Sequence, residues 1–453
     1  MNPRRLLSSL RLPSLFAAAV LAGAMLASSA SAAEPGPKPD WSGSEYHPPK
    51  LELPAWRAEY WIYIDTILLV AALGLAAYLT HRARTCRGLY WLAVGSLVYF
   101  GFIRHGCVCP IGAIQNVTLA IVNWDYKLPA VVAIFFALPL LTALLFGRVF
   151  CAAVCPLGAV QEVTLLKPVR VPVWLEHSLG LLPYLYLGLA VLSAAMGSRF
   201  LICEYDPYVS FFRMDGPFSI LIFGAALLIL GFFVGRPYCR FLCPYGALLR
   251  LTAAWTWIKV KIYPTECIQC RLCEDSCPYE AILPMTPEQG AKEKRAQARR
   301  RLAYTLLLLP LITALFALLG HLSAPALARL DSRVVLSDLL REQGGIMLKD
   351  ERVEVEALRR TGTKAETVYA EAEVVLAQYR FGAIWLGTFI GLALGLKLAR
   401  LGLQRRRTTY EPDQGRCVAC ARCYLHCPQE LVRLGRIGEG TLPTAAEDSP
   451  RGG

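Results

Sequence analysis

Two runs of cysteine, alike in spacing and far apart in the chain, constrain this sequence more than any other feature. Cys267-x2-Cys270-x2-Cys273-x3-Cys277-Pro278 recurs as Cys417-x2-Cys420-x2-Cys423-x3-Cys427-Pro428. At this spacing three neighbouring thiolates grip three irons of a cubane, and the fourth cysteine, followed by proline, ligates the cubane of the other run. That rule assigns Cys267, Cys270, Cys273 and Cys427 to one [4Fe-4S] cluster, and Cys417, Cys420, Cys423 and Cys277 to a second. Disulfides and structural zinc are the competing explanations, but zinc takes two separated Cys-x2-Cys pairs rather than so tight a trio. Residues 267–277 and 417–427 must therefore meet, whatever lies between them.

What lies between them is apolar. Of the 453 residues, 55% are hydrophobic and 18% charged, and runs of about 20 apolar residues suit a bilayer core of roughly 30 Å. Seven spans are expected, near 61–80, 88–104, 130–147, 179–196, 217–235, 302–320 and 381–401. Before them, Arg4, Arg5 and Arg11 lead into the apolar stretch Leu15 to Leu26 and then Ala30-Ser31-Ala32. This is the layout of a signal peptide, with an uncleaved first helix as the alternative. Alternation from an outside start puts His81–Arg87, 148–178, 236–301 and 402–453 in the cytoplasm. Those stretches hold Arg82, Arg84, Arg87 and Arg405-Arg406-Arg407, in line with the excess of Lys and Arg in cytoplasmic loops. The net charge of +13 follows from such anchoring residues against anionic lipid and calls for no nucleic acid.

The expected fold is thus a polytopic α-helical membrane protein carrying a cytoplasmic, bacterial-type two-cluster ferredoxin module split across the chain. It divides into a signal peptide (1–33), a short periplasmic segment (34–60), and a five-helix membrane domain (61–258). The first ferredoxin motif (259–301), a transmembrane helix (302–320), a periplasmic loop (321–380), a last transmembrane helix (381–403) and the second ferredoxin motif with its tail (404–453) follow. Helix-like patterns occur in the loop around Val334–Leu340 and Val353–Leu358.

A second motif is repeated in the membrane half. Gly147-Arg148-Val149-Phe150-Cys151-Ala152-Ala153-Val154-Cys155-Pro156-Leu157-Gly158-Ala159 is echoed by Gly235-Arg236-Pro237-Tyr238-Cys239-Arg240-Phe241-Leu242-Cys243-Pro244-Tyr245-Gly246-Ala247. A shorter relative is Cys107-Val108-Cys109-Pro110-Ile111-Gly112-Ala113. Spacing of four sets two thiols on one helical face, about 5–6 Å apart. Two such helices offer Cys151, Cys155, Cys239 and Cys243 to copper(I) or to a further iron–sulfur centre. A redox-active dithiol and plain packing of apolar thiols are the alternatives. Cys107 and Cys109 form a lesser candidate on the outer side.

The order of these motifs, with Cys203-Glu204-Tyr205-Asp206-Pro207-Tyr208 between the two Cys-x3-Cys-Pro copies, resembles the membrane half of NosR-type proteins of nitrous-oxide respiration and the NapH-type polyferredoxins. The resemblance runs over residues 60–430. It implies electron flow from the quinol pool or a cytoplasmic donor toward a periplasmic reductase, or toward maturation of its copper centre. NosR-type proteins also carry a periplasmic flavin domain with FMN on a threonine. No attachment motif of the Ser/Asp-Gly-Ala-Thr type occurs here, so covalent FMN is not expected, and a separate flavin subunit is a candidate partner.

Other chemistries find little support. Cys-x2-Cys-His is absent, so no c-type haem is expected. None of the six histidines falls in mid-span, which argues against an intramembrane b-haem. His105 and Arg104, at the mouth of the second span, suit either a quinone headgroup or simple anchoring. Asp65, just inside the first span, suits either interfacial hydration or proton transfer. P-loop and dinucleotide fingerprints are missing. The chain is read as an electron-transfer subunit rather than a stand-alone catalyst.

Overall fold

The computed structural model describes residues 60–105, 110–213, 216–262, 267–285, 291–342, 364–402, 407 and 409–438. The expected signal peptide, Cys107, Cys109 and the pattern at Val353–Leu358 lie outside these residues. Helix α1 (Tyr60–His81) is followed by α2 (Cys86–Ser96), which runs on as a π-helix over Leu97–Ile103. Then come α3 (Pro110–Val122), α4 (Ala130–Phe146), the short α5 (Val149–Ala153) and α6 (Pro156–Val163). A second group holds α7 (Val173–Leu179), α8 (Leu182–Ala195), α9 (Leu201–Tyr205), α10 (Pro207–Arg213) and α11 (Phe218–Gly231). Two more helices, α12 (Pro237–Phe241) and α13 (Pro244–Ala254), complete the membrane half.

Among the described residues, five stretches are long and apolar enough to cross a membrane: Trp61–His81, Cys86–Ile103, Val173–Ala195, Arg299–Ala328 and Ala365–Leu401. The expected spans at 130–147 and 217–235 differ. There α4 has 17 residues and α11 has 14, reaching about 26 and 21 Å against a core of roughly 30 Å. Each is cut short where its chain turns into a Cys-Pro motif. Gly147 closes α4 at φ +79°, a conformation that favours glycine.

The ferredoxin half is built from α14 (Leu272–Asp275), β1 (Ile282–Leu283), α15 (Ala291–Ala328), α16 (Ser332–Glu342), α17 (Ala365–Gly402), β2 (Glu411–Pro412), α18 (Arg422–His426) and α19 (Pro428–Arg433). The strands pair antiparallel, Ile282 opposite Pro412 and Leu283 opposite Glu411, and join the two cysteine motifs. Helices α15 and α17 each run for 38 residues, well beyond the expected 302–320 and 381–401. Their flanks (Ala291-Lys292-Glu293-Lys294-Arg295 in α15) are rich in strong helix formers, so the helices continue past the apolar stretch. Within residues 321–380, α16 buries Leu336 and Leu340 against Val368 of α17.

Helices α15 and α17 pack backbone to backbone. Gly387, Gly391 and Gly395 recur every four residues on one face of α17, the small-residue pattern that lets apolar helices approach closely. A Cβ on Gly387 would overlap the Phe316 carbonyl, one on Gly391 would stand 2.9 Å from the Phe316 Cβ, and one on Gly320 would overlap the Ala383 carbonyl. Because α15 starts just after the first ferredoxin motif and α17 ends just before the second, this contact sets how the motifs meet. Gly387→Leu should force the helices apart at a cost of about 1–3 kcal/mol or more. A lower melting temperature and less iron per chain are expected; wild-type values for both would show that the crossing does not hold the motifs.

Candidate iron–sulfur and cysteine sites

The two ferredoxin motifs share an unusual backbone. Gln269 and Arg271 in the first, and Ala419 and Ala421 in the second, take φ between +56° and +61°. These are matching positions around the second cysteine of each run, and left-handed backbone there is costly for residues other than glycine. Alternation of this kind turns successive N–H groups inward, forming the concavities that hold anions and iron–sulfur clusters. Cys267, Cys270, Cys273 and Cys427 line one pocket with Ile262 and Tyr410. Cys277 packs beside Cys417 and Cys420 around Tyr279, Ala281 and Val418, and it also neighbours Cys423. Both groupings offer four thiols in a recess whose amides converge, so the donor set fits a [4Fe-4S] cluster in each.

Cys273 and Cys427 are buried, and the other six cysteines of the two motifs are half-buried. Burial pushes the Cys417 thiol up to about 12, with Cys277 beside it adding to the rise against a hydrogen bond from the Ala419 amide. Burial likewise raises Cys273 to about 12, reinforced by Cys427, Cys270 and Cys267. Bare, these groups hold their protons at neutral pH, so cluster assembly must displace them.

Cys151, Cys155, Cys239 and Cys243 come together and are buried, 7–8% exposed. Their geometry departs from the expected helical face. Pro156 and Pro244 start new helices, since proline is tolerated at a first helical position but not in an interior. Cys151 and Cys239 therefore end up in the short helices α5 and α12, while Cys155 and Cys243 cap the N-termini of α6 and α13. The site thus gathers the positive ends of two helices. It also gathers two buried guanidiniums: Arg148 Nη2 stands 3.6 Å from Cys151 Sγ, and Arg236 donates to the Cys151 carbonyl. Gln161 Nε2 donates to Cys239 Sγ at 3.3 Å and the Gly246 amide to Cys243 Sγ at 3.2 Å. Burial raises the Cys239 thiol to about 11, opposed by the charge of Arg236. Soft donors, hydrogen bonds to sulfur and positive surroundings all fit a thiolate-bound, negatively charged centre. Among the described residues, no group of three or more His, Cys, Asp or Glu is drawn together as a single-ion metal site.

Glu162, one residue beyond Gln161, fastens this site to the ferredoxin half. Its Oε2 accepts from Arg236 Nε at 3.0 Å and from the Tyr279 hydroxyl, and its Oε1 accepts from Arg422. Burial alone would raise this carboxyl, but Arg236, Arg422 and Tyr279 hold it down at about 2. Around it, Arg148 Nη1 donates to the Gly415 carbonyl (3.4 Å), Thr80 to the Ala419 carbonyl (3.1 Å), and Arg84 pairs with Glu430 beneath the Tyr424 ring. Gly235 approaches the Pro278 carbonyl so closely that a Cβ would lie 2.5 Å from it. Residues 80–84, 148–162, 236–243, 267–285 and 409–433 thus meet at one end of the bundle.

None of Glu162, Gln161, Arg148, Arg236 or Arg422 stands out as a site residue in the sequence. The one available signal is the Gly-Arg pair that opens both long copies of the repeat. Asp65 is 1% exposed and bonded to Arg104 and Tyr99 (2.8 Å). Protein contacts rather than interfacial hydration satisfy it, and Arg104 is thereby engaged.

Glu162→Gln should leave Arg236 buried, and Arg422 half-buried, without their counter-charge, a loss of about 3–5 kcal/mol. Since the folded carboxyl titrates near 2, below its ordinary 4.5, its contribution is complete above about pH 4.5 and is lost as pH falls toward 2. Proteolysis at 409–433 should accelerate in the variant at neutral pH, and its added acid sensitivity in that window should vanish. Wild-type protection would show that Glu162 does not hold the dock.

A 4Fe-4S binding domain model matches residues 128–171 and 216–263, which contain the four-cysteine site. A second 4Fe-4S binding domain model matches residues 260–283, around the first ferredoxin motif. The chain is 29% identical over 261 residues to Protein NirI of Paracoccus denitrificans, covering 51% of this chain and 38% of that one. It is 31% identical over 241 residues to the Regulatory protein NosR of Pseudomonas aeruginosa, covering 48% and 33%. It is 27% identical over 188 residues to the Putative electron transport protein YccM of Escherichia coli, covering 33% and 52%. The chain thus spans between a third and about half of the length of these relatives. No solved structure matches it. The cysteine motifs, the domain matches and these relatives support likeness to membrane polyferredoxins of the NosR/NapH type.

Proposed function

We propose that this chain passes single electrons between the quinol pool, or a cytoplasmic donor, and a periplasmic respiratory reductase system, with nitrous-oxide reductase as the leading client. The observation that carries this reading is the dock at Glu162, which sets the ferredoxin motifs directly against the four-cysteine site. Residues Cys267, Cys270, Cys273 and Cys427 hold one cluster in this scheme, and Cys417, Cys420, Cys423 and Cys277 the other. When bound, a [4Fe-4S] cluster supplies one-electron chemistry at a potential set by charge, hydrogen bonds to sulfur and solvent exposure.

The protein's own residues set the surroundings in which that chemistry would run. Arg148 is a neighbour of Cys151, Cys239 and Cys243 as well as of Cys417. Its fixed positive charge therefore acts on both the four-cysteine site and the adjoining ferredoxin motif. Gln161 and the Gly246 amide donate to sulfur at the four-cysteine site, as the Ala419 and Ala281 amides do to Cys417 and Cys277 in the ferredoxin half, and such bonds stabilise the reduced state. Orientation with the dock in the cytoplasm follows from the arginines beside it, Arg82, Arg84 and Arg87 among them. The relative named as an electron transport protein supports the same class of role.

The alternative reading, copper handling for a periplasmic or membrane copper enzyme, rests on the soft four-thiol donor set. Substituting Cys151, Cys155, Cys239 and Cys243 together with serine separates the two. The ferredoxin half should keep its about eight irons, while electron delivery to the periplasmic client is abolished. A further loss of about four irons marks an iron–sulfur centre; loss of about one copper(I) marks copper handling. A fully active variant with unchanged metal would reject both. Cys427→Ser should damage the cluster held by the first motif; damage confined to the second would overturn the crossed ligation. A reporter fused after Arg407 should read cytoplasmic, and a periplasmic signal would reverse the orientation.

A further inference from the structure

Four cations close on one another at the bundle end where the ferredoxin half docks. They come from four parts of the chain: Arg240 from α12, Arg250 from α13, Lys397 from α17 and Arg416 from the loop after β2. Glu176 of α7 draws two of them in. Its Oε2 accepts from Arg240 Nη2 at 2.5 Å, and its Oε1 pairs with Arg416 Nη1 at 3.3 Å. Arg250 donates to the Arg240 carbonyl, and Lys397 donates to the carbonyl of His177, next to Glu176. Arg250 neighbours Arg416 as well as Arg240, and Lys397 neighbours both Arg250 and Arg416.

The carboxylates at hand do not balance these charges. Among the described residues, Glu280 is the one other acid paired with any of the four, 3.3 Å from Arg240 Nη2. Four positive charges thus meet two negative. Burial, followed by the charges of Arg148, Arg416 and Arg240, pushes the Arg250 guanidinium down to about 10, so it stays charged at neutral pH. Arg148 itself faces Cys151 Sγ and the Gly415 carbonyl and belongs to the four-cysteine site.

Nor are the donors used up. Arg240 is 8% exposed, yet its Nε and Nη1 have no partner, and neither has Arg250 Nε. Water can accept from such a donor, but it leaves the charge uncompensated, and buried cations without counter-charge are costly. An oxyanion meets both needs, and the forked guanidinium matches the oxygens of a phosphate.

The surroundings favour a lipid as its carrier. Trp174, two residues before Glu176, and Trp255, which ends the helix of Arg250, are both exposed, and tryptophan collects at the headgroup level of a bilayer. Leu251, beside Arg250, and Leu396 and Leu398, on either side of Lys397, are exposed as well, offering apolar surface to acyl chains. Basic recesses between membrane helices hold anionic headgroups in this way.

We propose that Arg240, Arg250, Lys397 and Arg416 bind a phosphate group carried by an anionic phospholipid. The headgroup holds α7, α12, α13 and α17 to the loop before Cys417, so that lipid becomes part of the dock between the two halves.

The test uses the full chain, purified without oxygen, stripped of lipid in detergent and then given phosphatidylglycerol, phosphatidylcholine or inorganic phosphate. Bound lipid is counted by mass spectrometry of the intact protein while the melting temperature is followed. A single phosphatidylglycerol should bind and raise the melting temperature by mass action, whereas phosphatidylcholine, which has no net charge, should do neither. Arg250→Gln combined with Lys397→Gln should bind phosphatidylglycerol about 30-fold more weakly, through loss of two charges. Inorganic phosphate that displaces the lipid and stabilises the protein equally would overturn the lipid as carrier. Equal binding of the two lipids, or wild-type binding by the double variant, would overturn the site itself. If the double variant does not fold, the comparison of the two lipids on the wild-type chain decides in the same way.

Discussion

A single carboxylate, buried among two guanidiniums and a phenol, ties this protein together. Taking Glu162 out of water is expensive, and a charge in such a place persists only when it is paired and hydrogen-bonded on every side. Arg236, Arg422 and Tyr279 supply that pairing from three separate parts of the chain. Arg236 belongs to the second Cys-Pro repeat, Tyr279 follows the last cysteine of the first ferredoxin motif, and Arg422 sits between two cysteines of the second. None of those segments can leave without stranding a charge. Docking of the soluble-like half onto the membrane half is therefore specified by electrostatics, where a purely apolar contact would leave register and orientation loosely determined.

Proline sets the chemistry of the membrane half. The Cys155-Pro156 and Cys243-Pro244 steps each stop one helix and start another, so the cysteine ahead of the proline becomes an N-cap rather than an interior residue. Helix termini then face the sulfurs, Arg148 and Arg236 add positive charge, and Gln161 adds a donor. All of these favour the extra negative charge that a bound centre takes on reduction. In the ferredoxin half the same end is met by a different device, the left-handed residues flanking Cys270 and Cys420, which aim amides inward.

Much of this was legible in the residues. The spacing of the ferredoxin cysteines required the two motifs to meet, and β1 and β2 join them. Apolar runs pointed to five of the stretches long enough to cross a membrane, but the runs at 130–147 and 217–235 fold into shorter helices, and the ends were not legible: hydropathy reports where lipid begins, whereas α15 and α17 continue on the helix propensity of Ala, Lys, Glu and Arg. The four repeat cysteines were visible as a group, but a spacing of four suggests one helical face only where the helix is continuous, and Pro156 and Pro244 break it. Glu162 and Gln161 were not legible at all. On a sequence they are ordinary polar residues near a helix end, and their role exists only because partners from residues 236–279 and 415–422 fold onto them. Asp65 in the sequence suits interfacial hydration or proton transfer alike, and its bonds to Arg104 and Tyr99 exist only in the fold.

The central claim is that the ferredoxin clusters and the four-cysteine site form one electron path within a single chain. Spin–spin interaction between them is the most direct gauge of that. In anaerobically purified protein reduced stepwise, the resonance of the cluster ligated through Cys417 should broaden as the four-cysteine site becomes paramagnetic, and Glu162→Gln should remove the broadening while leaving both signals. Two sets of signals that titrate with no mutual broadening in the wild-type protein would contradict it.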